Sequence, residues 1–300
     1  MSSDALADAL LVGSRLLWYA GLVGVIGACA FRLLLARAAA FGASGERTAG
    51  AIGLIAAAVL LAGALARLYA QAYVSFGIEE PLTPGLLWLV ATDLPPWSTG
   101  WQLQLGAGAF AAAALGLVRA GGRAAWGAAY VASLAVAATA PLTGHAVSQA
   151  DRPLLPVALQ AGHVLGAGAW IGGLFAVSVA ALRRSGGPAP VAALVHAFSP
   201  LAIAAVVLLA LTGLGTVVLY LTAPSDLWAT GYGRTLFLKI LLFAAVATMG
   251  LVNWRVVRPR LAGRDGVDLL RRTAGIELAL AGFVLLVTAV LVGLPRPGEE

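Results

Sequence analysis

Eight apolar runs, at about 10–36, 49–76, 101–119, 124–143, 154–182, 193–221, 235–257 and 269–292, dominate this sequence. Crossing a hydrocarbon layer as a helix takes roughly 20 residues, and each run comes close to that length or exceeds it. The fold class that follows is all-α: a polytopic membrane bundle of about eight transmembrane helices, forming one integral membrane domain over residues 1–300. Composition points the same way. With 61% hydrophobic and 11% charged residues and a mean hydropathy of +0.93, the chain lies far outside the range of soluble domains.

The loops between the runs fix an orientation. Arg32, Arg37, Arg47, Arg119, Arg123, Arg183, Arg184, Arg255, Arg258, Arg260, Arg264, Arg271 and Arg272 fall on one side, and only Arg15, Arg152, Arg234 and Arg296 on the other. Basic loops stay in the cytoplasm, so both termini are expected outside. The basic pI of about 10.1 is therefore a matter of membrane topology, and nucleic acid is not an expected partner. The start, MSSDALADALLVG, has no basic n-region and reads as a retained first span with no cleaved signal. Between the second and third runs, PLTPGLLWLVATDLPPWSTG is too short and proline-bounded to span, and predicts an interfacial segment with Trp88, Trp97 and Trp101 at headgroup level.

A lone Cys29 allows no internal disulfide and no CxxC clip, and two methionines, Met1 and Met249, make no soft-metal motif. Gly162, Gly166, Ala169 and Gly173 give the fifth span a small-residue face for close helix packing. What remains is a handful of polar groups at membrane depth, where ionisable residues are costly and tend to mark pathways. His163 lies in the outer half of the fifth span, with Trp170 two turns further on the same face. His145 follows the fourth span at its outer end, in a loop that brings it toward the start of the fifth. His196 opens the sixth span on the inner side, too far from the other two to share a mononuclear site. Arg67 and Lys239 enter from the outer end, close enough to it to snorkel outward, and near the histidines they would repel a bare cation but welcome carboxylates. Glu277 and Asn253, near the inner ends of the eighth and seventh spans, are placed either to bond each other or to form a polar exit.

Imidazoles without thiolates bind copper, zinc and iron alike, so these histidines do not name a metal. No paired carboxylates, HExxH, P-loop, GxSxG or Ser/His/Asp constellation is present, and no catalytic residue is assigned. Transport without ATP, or electron transfer, remains.

Five stretches resemble a known family: HVLGAGAWIGGL in the fifth span, FSPLAIAAVVLLALTGLGTVVLYL in the sixth, YGRTLFLKILLF opening the seventh, NWR at its inner end, and ELALAGFVLLVTAVLVGLPRP in the last span and the turn after it. Together they look like the CopD copper resistance family, most clearly over residues 155–297, with TGHA before the fifth span as a further family-like feature. The resemblance implies a multi-pass protein of the bacterial inner (plasma) membrane that moves copper from periplasm to cytoplasm, with a periplasmic carrier of the CopC type as partner. His163 and Trp170 match the pattern HxxxxxxWxGG, Tyr232, Gly233 and Lys239 match YGxxxxxK, and Asn253 belongs to NxR. His196 stands just before the FS pair.

Three functions fit the residues. In a copper permease, which is not an enzyme, His145 and His163 receive the ion outside and a route near Asn253 and Glu277 releases it inside. In a haem b electron-transfer protein, His145 and His163 are axial ligands and Arg67 and Lys239 pair with propionates. In a copper-enzyme assembly factor there is no turnover. The resemblance favours copper. The orientation is open to a direct check: a reporter active only outside the cytoplasm, fused after Glu300, should be active, and activity of a cytoplasm-dependent reporter there would reverse the topology.

Overall fold

A computed structural model describes residues 3–35, 42–77, 82–119, 121–144, 154–182 and 188–298. The first span is α1 (Ser3–Leu35), and the second is α2 (Gly42–Ala72), ending in a π turn at Tyr73–Gly77. After the short α3 (Pro84–Thr92) come α4 (Trp97–Val118) and α5 (Arg123–Thr139), the latter closed by a 3-10 turn at Ala140–Thr143. The fifth span is broken in its middle. It consists of α6 (Leu154–Ala167), a π turn at Gly168–Gly172 and α7 (Gly173–Leu182). Then follow α8 (Pro188–Tyr220), a single-turn α9 (Asp226–Ala229), α10 (Gly231–Val252), a π turn at Asn253–Val257, a 3-10 turn at Arg258–Arg260, and α11 (Arg264–Leu291). Eight of these helical segments are long and apolar enough to cross a membrane, and they coincide with the eight apolar runs of the sequence. The protein is an all-α polytopic bundle.

Alternating spans put Ser3, Gly77, Trp97, Thr143, Leu154, Tyr220, Gly231 and Leu291 on one face of the bundle, called here the outer face, and the arginine-rich loops on the opposite, inner face. On the inner face Arg32 pairs with Glu46 at 2.6 Å and lies over the Trp126 ring at 5.5 Å, tying α1 to α2 and α5. On the outer face Asp226 Oδ2 accepts from the backbone amides of Thr222 and Ala223 and from the Thr222 hydroxyl, which fixes the turn between α8 and α10. Those donors, the Ala223 amide first, hold its carboxyl below the usual range.

The core is built on α1. From Trp18 to Leu35 most of its residues are buried, including Leu22, Val25, Ala28, Cys29 and Phe31, and α2, α5, α7 and α11 all pack on it. Glycines set the distances. Gly21 and Gly24 sit against Leu60 and Ala56 of α2, and Gly63 sits against Trp18. The tightest crossing is with the π turn of the fifth span: a Cβ on Gly172 would collide with the Val23 carbonyl and the Gly27 backbone, and one on Gly168 with Ile26. The face marked in the sequence, Gly162, Gly166 and Gly173, packs on the other side, against Thr212, Leu209 and Phe198 of α8. The fifth span thus has two glycine faces, of which the sequence pattern displayed one.

The sixth and seventh spans, α8 and α10, bury the least. Their exposed Ile203, Val207, Leu211, Leu214, Phe237, Leu238 and Leu241 form a lipid-facing surface. One expectation needs correction. Trp88 is 70% exposed, as an interfacial residue should be, but Trp101 is 5% exposed, stacked on Trp97 with 6.2 Å between centroids, and its indole donates to the Ala64 carbonyl at 2.8 Å. It is part of the bundle interior because α4 begins at Trp97, which carries Trp101 a full turn inward.

Filling the π-turn crossing should be intolerable. Gly172→Val is expected to cost about 3 kcal/mol of overpacking and to lower the thermal midpoint of the detergent-purified protein. Gly106→Ala, where no neighbour lies within 4 Å, should leave the midpoint unchanged.

Candidate functional site

Two cavities enter the bundle from opposite faces. The outer one, about 540 Å³, is lined by residues of α1, α2, α4, α6, α8, α10 and α11, among them Arg15, Arg67, Gln160, His163, Trp170, Tyr232 and Lys239. The inner one, about 480 Å³, is almost wholly apolar and is lined by Phe198, Ser199, Gly250, Asn253, Arg271 and Glu277, again with Trp170. Trp170 is the one described residue that lines both. It is 3% exposed, sits in the π turn, and packs edge-on against Phe243 of α10 at 5.9 Å and 88°. The Trp170–Phe243 contact is the partition between the two cavities.

His163 stands in the outer cavity with its tautomer fixed by its neighbours. Its Nδ1 lies 3.1 Å from Thr212 Oγ1, and that hydroxyl sends its only hydrogen to the Leu208 carbonyl at 2.6 Å. The hydroxyl can then only accept from the ring, so Nδ1 carries the proton and donates it. Nε2 is left with a lone pair, the form in which an imidazole binds a metal or takes a proton.

Positive charge surrounds this ligand. Arg67 does not snorkel: its guanidinium donates to Gln104 Oε1 and Thr143 Oγ1, both at 2.6 Å, and lies 4.9 Å from the centroid of the buried Trp18 ring. Gln104, 2% exposed, is itself fixed through Nε2 to the carbonyls of Thr139 and Ala140. Among the described residues Arg67 therefore has neutral and π partners only, a costly arrangement that holds as one polar network. Lys239 lies on the same stripe of α10 as Tyr232, Phe243, Val246, Gly250 and Asn253, spaced at three, four or seven residues. It acts electrostatically on His163. No carboxylate lines the outer cavity among the described residues.

On the inner side Asn253 Nδ2 donates to Glu277 Oε2 at 2.8 Å, so the two bond each other, and both line the inner cavity. His196 is exposed near the start of α8, bonded through Nδ1 to the Ala192 carbonyl at 2.7 Å, and lines neither cavity. It is 16 residues, about 24 Å along the helix axis, from Thr212. His145 lies outside the described residues; Thr143 and Gly144, which precede it, line the outer cavity. Among the described residues no group of three or more His, Cys, Asp or Glu is placed to hold a metal ion.

Sequence reasoning missed Thr212, Gln104, Thr143 and Arg15. The amides of WQLQLG, unusual inside an apolar run, were a readable signal for Gln104. Thr212 gave none, since its hydroxyl becomes informative only beside His163.

Residues 192–291 match the family model for copper resistance protein D, and residues 6–154 match that for the copper resistance protein D-like N-terminal domain. The copper transport protein CutJ of Bacillus subtilis (strain 168) is 28% identical over 159 residues, a match that covers 52% of this chain and 28% of that protein. The chain thus aligns with under a third of the length of its curated relative. No solved structure matches.

If Thr212 sets the His163 tautomer, Thr212→Val should weaken binding of a transition-metal ion about 10-fold or more, measured by competition with a chromophoric chelator, while Thr212→Ser should bind as tightly as the unaltered protein.

Proposed function

The chain belongs to the CopD copper resistance family and is a multi-pass membrane protein of copper handling, and from this we propose that it moves copper ions across a bacterial inner membrane, from the periplasmic to the cytoplasmic side. The observation that carries the reading is the pair of cavities entering from opposite faces and meeting at Trp170, with a metal-competent imidazole in the outer one. Such a path, closed in the middle by one aromatic contact, suits stepwise passage of an ion and needs no catalytic group.

His163 Nε2 is the entry ligand. His145, which follows the cavity-lining Gly144, is its partner, and together they supply two imidazoles for copper. His196, on the inner face, meets the ion only after release. The cationic lining has a consequence for the cargo: near Arg15, Arg67 and Lys239 a bare cation is repelled, so copper is received together with a ligand that offsets the charge. A periplasmic carrier of the CopC type would deliver it in that form. Exposed acids on the outer face, Asp4, Asp8 and Asp93, give such a carrier a complementary surface.

The same cations favour a second reading, in which a b-type haem is held by His163 with its propionates on Arg67 and Lys239. The residues present fit one such group, since His163 Nε2 keeps a lone pair and Arg67 is held in place with no carboxylate partner among the described residues. Bound there, the haem would supply one-electron chemistry, and the protein's part would be ligation and charge pairing.

Copper uptake into proteoliposomes separates these readings. His163→Ala should abolish uptake by the purified protein and His196→Ala should leave it intact; uptake that survives in His163→Ala removes the entry ligand from the proposal. A Soret band with near-stoichiometric iron, lost in His163→Ala, would establish the haem reading instead. Retained copper without any uptake would leave an assembly role.

A further inference from the structure

Among the described residues the inner cavity is lined by one acidic side chain, Glu277, which lies beside the expected release route but has no chemical step in the passage proposed above. Glu277 is 3% exposed. Its Oε2 accepts from Asn253 Nδ2, and the Trp170 indole flanks the same stretch of backbone at Gly250, its Cζ2 3.8 Å from where a Cβ there would stand. Its Oε1 faces Gly250, where even a Cβ would stand 3.4 Å away, so the glycine keeps that oxygen uncovered. Asn253 Oδ1, on the amide that serves Glu277, is buried and has no hydrogen-bond partner among the described residues. An orphaned acceptor beside a carboxyl costs about 1–3 kcal/mol, and one proton on that carboxyl would satisfy it once the amide turns over.

Among the described residues no cation pairs with Glu277 or Asn253. Of the elements packed on α11, the fifth span contributes Trp170 and Ser178 to the cavity, α8 contributes Ser199, and α10 with its π turn contributes Asn253 and Trp254. Arg258 and Arg260 of the following turn do not line it, nor does any residue of α1. Arg271, six residues before Glu277 on α11 and about 9 Å along the axis, is the one basic side chain in the lining. It is exposed and pairs with Asp268 at 3.2 Å.

We infer that Glu277 is a protonation site that latches the Trp170 partition. With Trp170 closed, the indole covers the carboxylate, which accepts from Asn253. When Trp170 swings aside for cargo, the carboxyl loses the indole, takes one proton from inner water through the inner cavity, and donates it to Asn253 Oδ1. On closure the proton returns to inner water, so one proton is bound and released per turn and none crosses the membrane. The ligand of this site is the proton, and low inner pH favours the open latch.

The latch rests on the transport reading, and two measurements on the same proteoliposomes keep the two apart. Infrared difference spectra on acidification should show a protonated carboxyl C=O band that Glu277→Gln lacks. Copper uptake should rise by up to about tenfold per unit fall in inner pH, be indifferent to outer pH in this respect, and lose its inner-pH response in Glu277→Gln. The inference is overturned if no carboxyl band depends on Glu277, or if Glu277→Gln keeps the inner-pH response of uptake. Uptake absent from the unaltered protein at every inner pH sinks the transport reading instead, and the carboxyl band then still decides whether Glu277 holds a proton.

Discussion

The close crossing of α1 with the π turn of the fifth span sets the geometry of everything else. Within lipid no hydrophobic force draws helices together, so contact depends on backbones that can approach. Val23 and Gly27 on one side and Gly168 and Gly172 on the other provide that approach. A π turn is rare, occurs mostly as a single-turn insertion within an α-helix and is frequent at functional sites, and here it carries Trp170. Had the fifth span continued as a regular α-helix against a bulkier α1, the indole would not stand on the line between the cavities. Packing and partition are one feature.

Around that crossing the protein places opposite kinds of polar site in its two halves. The outer half has fixed cations and, among the described residues, one imidazole whose protonated nitrogen is chosen by Thr212. The inner cavity is lined, among the described residues, by a single carboxyl answered by one amide. Three groups at depth have a partner from a different helix: Arg67 of α2 with Gln104 of α4 and Thr143 after α5, His163 of α6 with Thr212 of α8, Glu277 of α11 with Asn253 after α10. Such cross-helix bonds hold helices that have little else to orient them.

Much of this was legible in the sequence. The eight spans were, because length and hydropathy determine them, and so was the Glu277–Asn253 pair, because both residues stand near the inner ends of neighbouring antiparallel spans. His163 and Trp170 were legible as one face, seven residues apart. Arg67 was misjudged: a long basic chain near a span end looks free to snorkel until Gln104 and Thr143 are seen to hold it. Trp101 was misjudged for the same kind of reason, since a tryptophan beside a loop and one a turn deeper differ only in where the helix starts. The glycine crossing at Gly172 was hidden, because small residues show that a backbone can approach without naming which helix it meets. His145 lies beyond what the described residues address.

The lipid-facing position of α8 and α10 has a mechanical meaning. These two helices bury the least, yet they carry Thr212, which orients His163, and Lys239 and Phe243, which face it and the partition. A helix bathed in acyl chains adjusts its tilt to the thickness of the surrounding bilayer. The protein's ligand geometry is thereby coupled to the membrane itself: the composition of the lipid shell becomes, in effect, a further substituent on the imidazole, setting how Thr212 meets His163 and how firmly Phe243 leans on Trp170.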